Sequence, residues 1–363
     1  MGVNASSSAP APKTLRFAGT EGQIPSRRTA VPRNGRRAAL LAAAIGVLAL
    51  ACLASVAFGA RALSFGTVLE ALTSYDPGNG DHAVVVSRIP RTVLGLLAGG
   101  ALGLAGAAMQ GVARNPLADP GILGVNAGAA FFVVLGIYGF GISTFLGYIW
   151  FALAGAALAA VLVYTVASLG REGATPVKLA LAGAALSAGL SSLMSAVLVS
   201  SQQTLDIFRF WQAGSLSGRG WDVISAVVPF LAAGAVITLC AGRALNGLSL
   251  GDDVARGLGQ RVGLSRGITA LGVVLLCGAA TAAVGPIGFV GLVIPHMVRS
   301  FTGPDYRWIL PFSLVLAPVL LIIADIIGRL ALPPGEIPVG VMTAVIGAPV
   351  FIWLVRRRKQ AQL

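Results

Sequence analysis

The run AALLAAAIGVLALACLASVAFGA, residues 38–60, holds 23 residues and no charge. As a helix it would reach about 35 Å, enough to cross a hydrocarbon core of about 30 Å. A cleaved signal sequence has an apolar stretch of only about 7–15 residues, so this run predicts a retained transmembrane helix. Cys52 after Leu50-Ala51 faintly resembles a lipoprotein site, but the apolar run continues well past it.

The same reading, carried along the chain, gives nine more apolar segments. They cover residues 92–112, 122–140, 146–169, 177–200, 221–241, 264–284, 286–298, 308–327 and 338–355. From Gly267 to Met297 there is no charge for 31 residues, too long for one upright helix and short for two full ones. Gly285-Pro286 is read as a break and Pro295 as a second one, giving a full span followed by a shorter span. Interrupted helices of this kind occur where freed backbone groups meet protein or a water-filled cavity.

Composition agrees. Of 363 residues, 56% are apolar and only 11% charged, against about 25% charged in an ordinary globular domain. That excludes the soluble-enzyme classes. The fold class expected is an all-α polytopic membrane protein of about ten transmembrane helices. Residues 1–37 form a tail rich in Ala, Ser, Pro and Arg without periodicity, read as disordered. Residues 38–355 form the membrane domain and residues 356–363 a basic tail.

The net charge of +13 could suggest nucleic acid, but the positions of the charges say otherwise. With the N-terminus inside and ten spans, 20 of the 26 Lys and Arg residues fall inside and 6 outside. This split obeys the positive-inside rule with both termini cytoplasmic, and accounts for the charge without a nucleic-acid partner. Span two carries Gly95, Gly99, Gly103, Ala107 and Gly111 at intervals of four. Such a stripe lets helices approach closely, so this helix should be surrounded by others.

Chemistry-bearing residues are sparse. Cys52, Cys240 and Cys277 lie in apolar stretches with no metal spacing, and the two histidines, His82 and His296, are far apart. No metal site, cofactor or catalytic group is expected. There is no P-loop: the only lysines are Lys13, Lys178 and Lys359, and none follows a glycine. Asp325 is the main mid-membrane charge, four residues before Arg329, a spacing that suits an ion pair. Ion-coupled secondary transporters keep ionisable residues within the bilayer, and their scarcity here argues against that class.

Several long stretches, in order, resemble a known family. Ser87-Arg88-Ile89-Pro90-Arg91-Thr92 looks like its entry to span two. Arg114-Asn115-Pro116-Leu117-Ala118-Asp119-Pro120-Gly121 looks like its cytoplasmic loop, and Gly285 to His296 is similar to its "GPIGFVGLVIPH" helix. Glu336-Ile337-Pro338-Val339-Gly340 and Gly347-Ala348-Pro349-Val350-Phe351 match its C-terminal signature. By these motifs, over roughly residues 60 to 355, the chain resembles the permeases of ABC importers for iron-siderophores, haem and cobalamin.

The resemblance implies a dimer of ten-helix permeases in the cell membrane, identical or sister chains, with two cytoplasmic ABC ATPase subunits. An extracytoplasmic solute-binding protein would deliver the substrate, here an iron(III)-siderophore, with haem or cobalamin as alternatives. Hydrolysis of ATP on another chain would make the missing P-loop an expected absence. The loop from Leu248 to Gly259 resembles the family's coupling element. Within it Gly251, Asp252, Asp253, Ala255, Arg256 and Gly259 are the candidate ATPase contacts, on a short helix with acids in its first turn and a glycine at its end. Arg88, Arg91 and Arg329 depart from the positive-inside pattern, and the resemblance assigns them to carboxylates of the binding protein. A guanidinium suits that role because it grips carboxylate oxygens bidentately. Asn115 and Leu117 stand where the family narrows its pathway, with Pro176 and Val177 at the companion position, where relatives can carry hydroxyl residues. Residues 207–215 look like the family's short helix at the pathway mouth.

Overall fold

The computed structural model describes residues 2, 34–59, 61, 63–169, 174–333 and 335–360. Among them are fourteen α-helices and a 3-10 turn. In chain order these are α1 (Asn34–Ala57), α2 (Phe65–Thr73), α3 (Gly80–Val112), the 3-10 turn (Pro120–Leu123), α4 (Val125–Phe140), α5 (Phe145–Ser168), α6 (Pro176–Ser200) and α7 (Gln202–Gln212). They continue with α8 (Trp221–Cys240), α9 (Gly242–Ser249), α10 (Asp252–Gly257), α11 (Val262–Val284), α12 (Val290–Thr302), α13 (Tyr306–Ala331) and α14 (Val339–Gln360).

Each of the ten expected spans corresponds to a helix. Among the described residues, α1, α3, α5, α6, α8, α11 and α13 are long and apolar enough to cross a membrane, and α4 and the Val339–Trp353 part of α14 are shorter apolar helices. The tenth is α12, 13 residues long. Side chains of small polar residues start several of them. Asn79, Thr144, Thr175, Ser201 and Asp305 each accept a backbone N–H in the first turn of α3, α5, α6, α7 and α13.

The expected tail, residues 1–37, lies outside the described residues for 3–33, whereas 34–37 are the first turn of α1. Arg37 is buried there. It donates to the Thr302 carbonyl at 2.7 Å and stacks over the Trp308 ring at 5.9 Å. At the other end α14 carries the backbone of the basic run on to Gln360.

Helix α3 is the hub. It packs on α13, α11, α12, α8 and α2, and 83% of its most apolar stretch is buried. The small-residue stripe faces α13. A Cβ added at Gly99 would meet the Pro318 backbone at 2.5 Å, and one at Gly103 would meet Ala317 and the Ser313 carbonyl at 2.5 Å. Without hydrophobic drive between helices in lipid, such backbone approach supplies the dispersion contact that holds them together.

Two expectations need correction. The helix of span two begins at Gly80, twelve residues before Thr92, and runs through Pro90. The helix runs on through the charges at Arg88 and Arg91, which ended the apolar segment in the sequence. The second break, at Pro295, does not occur: α12 runs unbroken through it. A proline leaves the carbonyl four residues earlier without its helical partner. That carbonyl, Gly291 O, faces the Gln110 side-chain amide of α3 at 3.4 Å, and the same amide reaches Leu292 O at 3.1 Å. The break at Gly285 is real. The backbone between α11 and α12 is unwound, with φ of +78° at Gly285 and +68° at Phe289.

Contacts between connections fall into two sets. Arg37 reaches Thr302, Asn246 reaches Asp305, and Arg266 reaches Ala174 and Asp252. At the opposite ends Arg88 reaches Ala57 and Arg61, Arg91 reaches Glu336, and Ser215 reaches Val284. This is the alternation that the charge count predicts, the first set belonging to the positive face.

Candidate functional site

At the sparsely charged face, the three arginines of the sequence reading converge with Asp325 between α1, α3 and α13. Arg88 donates to the carbonyls of Val56 at 2.9 Å, Ala57 at 2.8 Å and Arg61 at 2.7 Å. Arg329 donates to Ser55 O and Ser55 Oγ, both at 3.0 Å, and its Nε lies 3.1 Å from Asp325. Both are buried, at 7% and 4% exposure. Their positive charge is thus used largely in closing the end of α1 onto α3 and α13. Ser55 Oγ also meets Thr92 Oγ1 at 2.8 Å.

Arg91 differs. It holds Asp325 at 2.7 Å on one side and Glu336, in the connection between α13 and α14, at 2.7 Å on the other. Glu336 is a third exposed. Burial would raise its pKa, but the Ser217 hydroxyl, Arg91 and the charge of Arg329 outweigh that and hold it below the ordinary value. A cavity of about 650 Å³ opens here, lined by Arg61, Arg88, Arg91, Arg219, Arg329 and Glu336 among others.

A second cavity, of about 570 Å³, shares Ser217, Arg219 and Glu336 with the first and adds Tyr148, Phe210 and Trp211. Of residues 207–215, likened to a short helix, 207–212 form the last part of α7 and 213–215 lie beyond its end. Phe208 and Trp211 face inward and pack together at 5.7 Å, while Phe210 is exposed. Arg219, missed in the sequence, donates to Ala283 O at 2.8 Å. Burial pushes its pKa down to about 10, opposed by Tyr148, so it remains a cation at neutral pH.

At the positive face, α9 and α10 stand between α8 and α11. Asn246 anchors α9 by donating to Asp305 at 2.7 Å and accepting the Tyr306 N–H at 2.8 Å. Gly251 adopts φ +115° and Gly259 φ +80°, which explains glycine at each end of α10. Gln260 N bonds Ala255 O at 3.0 Å and Gly259 N bonds Arg256 O at 2.9 Å, closing the helix end. Ala255 is buried. Asp253 is 98% exposed and pairs at 3.0 Å with Arg256 on its own helix. Asp252 turns inward, paired with Arg114 and, at 2.8 Å, with Arg266. Neither arginine stood out in the sequence, although Arg114 directly precedes Asn115.

The Asn115 side chain accepts the Leu117 N–H at 3.0 Å, tightening the turn, and Leu117 is 40% exposed. Pro176 occupies the first position of α6, where a missing N–H costs nothing. This accounts for proline at a position where relatives can carry hydroxyl residues. Val177 is exposed. The 3-10 turn that ends the Asn115 loop packs on α6. Among the described residues no cluster of His, Cys, Asp or Glu could hold a metal ion.

Residues 47–357 match the FecCD transport family. The ferric enterobactin transport system permease protein FepD of Escherichia coli is 49% identical over 313 residues, covering 86% of this chain and 93% of FepD. The Bacillus subtilis protein named "Probable siderophore transport system permease protein YfiZ" is 46% identical, covering 88% of this chain and 96% of that one. A solved structure of a metal-chelate type ABC transporter in an inward-facing conformation superposes with a TM-score of 0.77 at 27% identity, covering 88% of this chain and 99% of that one. Among the described residues seven helices are long and apolar enough to cross a membrane, and with these matches they lead to one conclusion: the chain is a multi-pass membrane protein of the FecCD transport family.

Proposed function

We propose that this protein is the membrane-spanning permease subunit of an ATP-binding-cassette importer and forms the pathway for an iron(III)-siderophore complex. The observation that carries the reading is the near full-length identity to permeases named for ferric enterobactin and siderophore transport. It is a transport subunit and not an enzyme. ATP is hydrolysed on separate ATPase chains, in keeping with a sequence that has no P-loop.

The parts take roles by position. The exposed face of α10, with Asp253 and Arg256 on it and Gly251, Asp252, Ala255 and Gly259 shaping it, is the ATPase contact. Asn115 and Leu117, with Pro176 and Val177 at the start of α6, form the exit gate. On the opposite face the arginine-lined cavity receives carboxylates of a solute-binding protein. Arg91 makes the direct contact, and Arg88 and Arg329 contribute charge and hold the site's shape. A second permease chain covers α6. That helix buries only Leu179 and Gly183, and the Ser192 and Ser195 hydroxyls bond within the helix itself. Polar groups on an open flank of this kind favour a protein neighbour over lipid.

The test is a strain lacking this gene, offered labelled iron chelates, haem and cobalamin, with pull-down of the tagged permease. Loss of chelate uptake and co-purification of an ATPase are expected. Normal chelate uptake with loss of haem or cobalamin uptake would overturn the substrate. A permease that captures no ATPase would overturn the importer reading.

A further inference from the structure

Asp252 connects elements that are far apart in the chain. It is the first residue of α10, and one of its oxygens, Oδ1, accepts from both Arg114 and Arg266. Arg114 leaves the end of α3 in a left-handed conformation, φ +49°, and is the residue before Asn115. Left-handed backbone is unfavourable for a residue with a Cβ and persists where its surroundings hold it. Here the ion pair to Asp252 is such a hold. Arg266 is buried on α11, with 6% of its side chain exposed, and its second nitrogen donates to Ala174 O at 3.1 Å. Ala174 precedes Thr175, the cap of α6, and so stands two residues before Pro176.

A single carboxylate therefore links α10 to both connections assigned to the exit gate. One branch runs through Arg114 to Asn115, the other through Arg266 to Ala174 and the start of α6. We infer that Asp252 is the positioning residue that transmits displacement of α10 to both sides of the gate. Asp253 and Arg256 point to solvent and meet the ATPase, while Asp252 faces the permease and carries the motion inward. Paired charges in partly buried surroundings are suited to this, because separating them leaves uncompensated charge and so resists slippage. The inference rests on the importer reading above.

The test is a reconstituted complex of permease, ATPase and binding protein in proteoliposomes, reading ATP hydrolysed per chelate transported. Asp252→Asn keeps the side chain's size and removes its charge. ATP hydrolysis and ATPase binding are read beside uptake, so that lost coupling is separated from a change in the hydrolysis rate itself. The ATP used per chelate should rise about tenfold, the scale of a lost coupling between sites. Arg114→Gln should show a smaller rise in the same ratio, and Arg114→Lys, which keeps the charge, should stay near wild type. An unchanged ratio in Asp252→Asn, or hydrolysis and uptake falling together, would overturn the inference. Should that variant not fold, Arg114→Gln at its more exposed site decides by the same ratio. Failure of the importer reading would show in the wild type alone, as absence of ATPase binding and chelate uptake.

Discussion

The guanidinium of Arg91 on α3 lies 2.7 Å from the carboxylate of Asp325 on α13. Asp325 is 2% exposed and also pairs with Arg329, itself 4% exposed. Removing one member of a buried charge pair costs about 3–5 kcal/mol, because its partner stays buried without compensation. Asp325→Asn should therefore lower the Tm of the purified permease strongly. Arg91→Ala should lower it less, since Asp325 keeps Arg329. Thermal unfolding in detergent checks both, and an unchanged Tm for Asp325→Asn would mean that the charges are compensated elsewhere.

Docking of the binding protein should respond most directly to Arg91. Arg91→Ala removes an attraction, whereas Arg91→Glu adds like-charge repulsion, so reversal should weaken binding more than truncation. The effect should shrink with salt, since screening acts over about 8 Å at 0.15 M. Arg88→Ala and Arg329→Ala should show first as lost stability, because their donors are engaged with the carbonyls of α1 and its following connection. The measurement is binding of the solute-binding protein to permease in nanodiscs. Equal affinity for wild type and Arg91→Glu would rule out the docking role.

Glu336 gives a pH dependence with a defined sign. Its folded pKa is depressed below the ordinary value near 4.5. A depressed carboxylate contributes stability that is fully present above the unfolded pKa and is lost as pH falls through the folded one. The stability gap between wild type and Glu336→Gln should be constant at neutral and mildly acidic pH and close below about pH 4.5. A gap that instead widened on acidification would contradict the ion pair with Arg91.

Two glycines should answer oppositely to alanine. At Gly106 a Cβ would lie 1.9 Å from the Gly291 carbonyl oxygen, so Gly106→Ala must force α3 and α12 apart. At Gly46, inside α1, nothing lies within 4 Å, and Gly46→Ala should be neutral or stabilising by about 0.5–1 kcal/mol. Membrane yield and Tm of the two variants test the contrast.

The N-terminus should divide at α1. Deleting residues 1–32 should leave uptake intact. Arg37→Ala removes the hydrogen bond to Thr302 and the contact with Trp308, and should lower Tm. Lost uptake at normal membrane levels in the truncation would give the tail a function.

The long spans were legible because a nearly uncharged run of membrane length rarely folds as anything but a spanning helix. The ends of helices were less so. Arg88 and Arg91 ended the apolar segment of α3 in the sequence, yet its backbone continues to Gly80 because helical bonding does not depend on side-chain polarity. Pro295 looked like a break because the residue that answers its orphaned carbonyl, Gln110, lies 181 positions from Gly291. The short helices α2 and α9 carry no apolar run long enough to register. At the candidate sites, motif positions were visible but partners were not. Arg114, Arg266 and Arg219 gain meaning only from the carboxylate or carbonyl each one meets in space.

The seam between Gly106 and Gly291 bears on how this molecule moves. The two backbones meet there with no side chain between them, and Gln110 is bonded across the same seam. Such a junction has no adjustable part: rotamers cannot change, and sliding by one residue would drive a Cβ into a carbonyl. Helices α3 and α12 should therefore move together, since relative sliding would break a backbone contact that no rotamer change restores. Any rearrangement of the bundle would then carry these two helices as a pair.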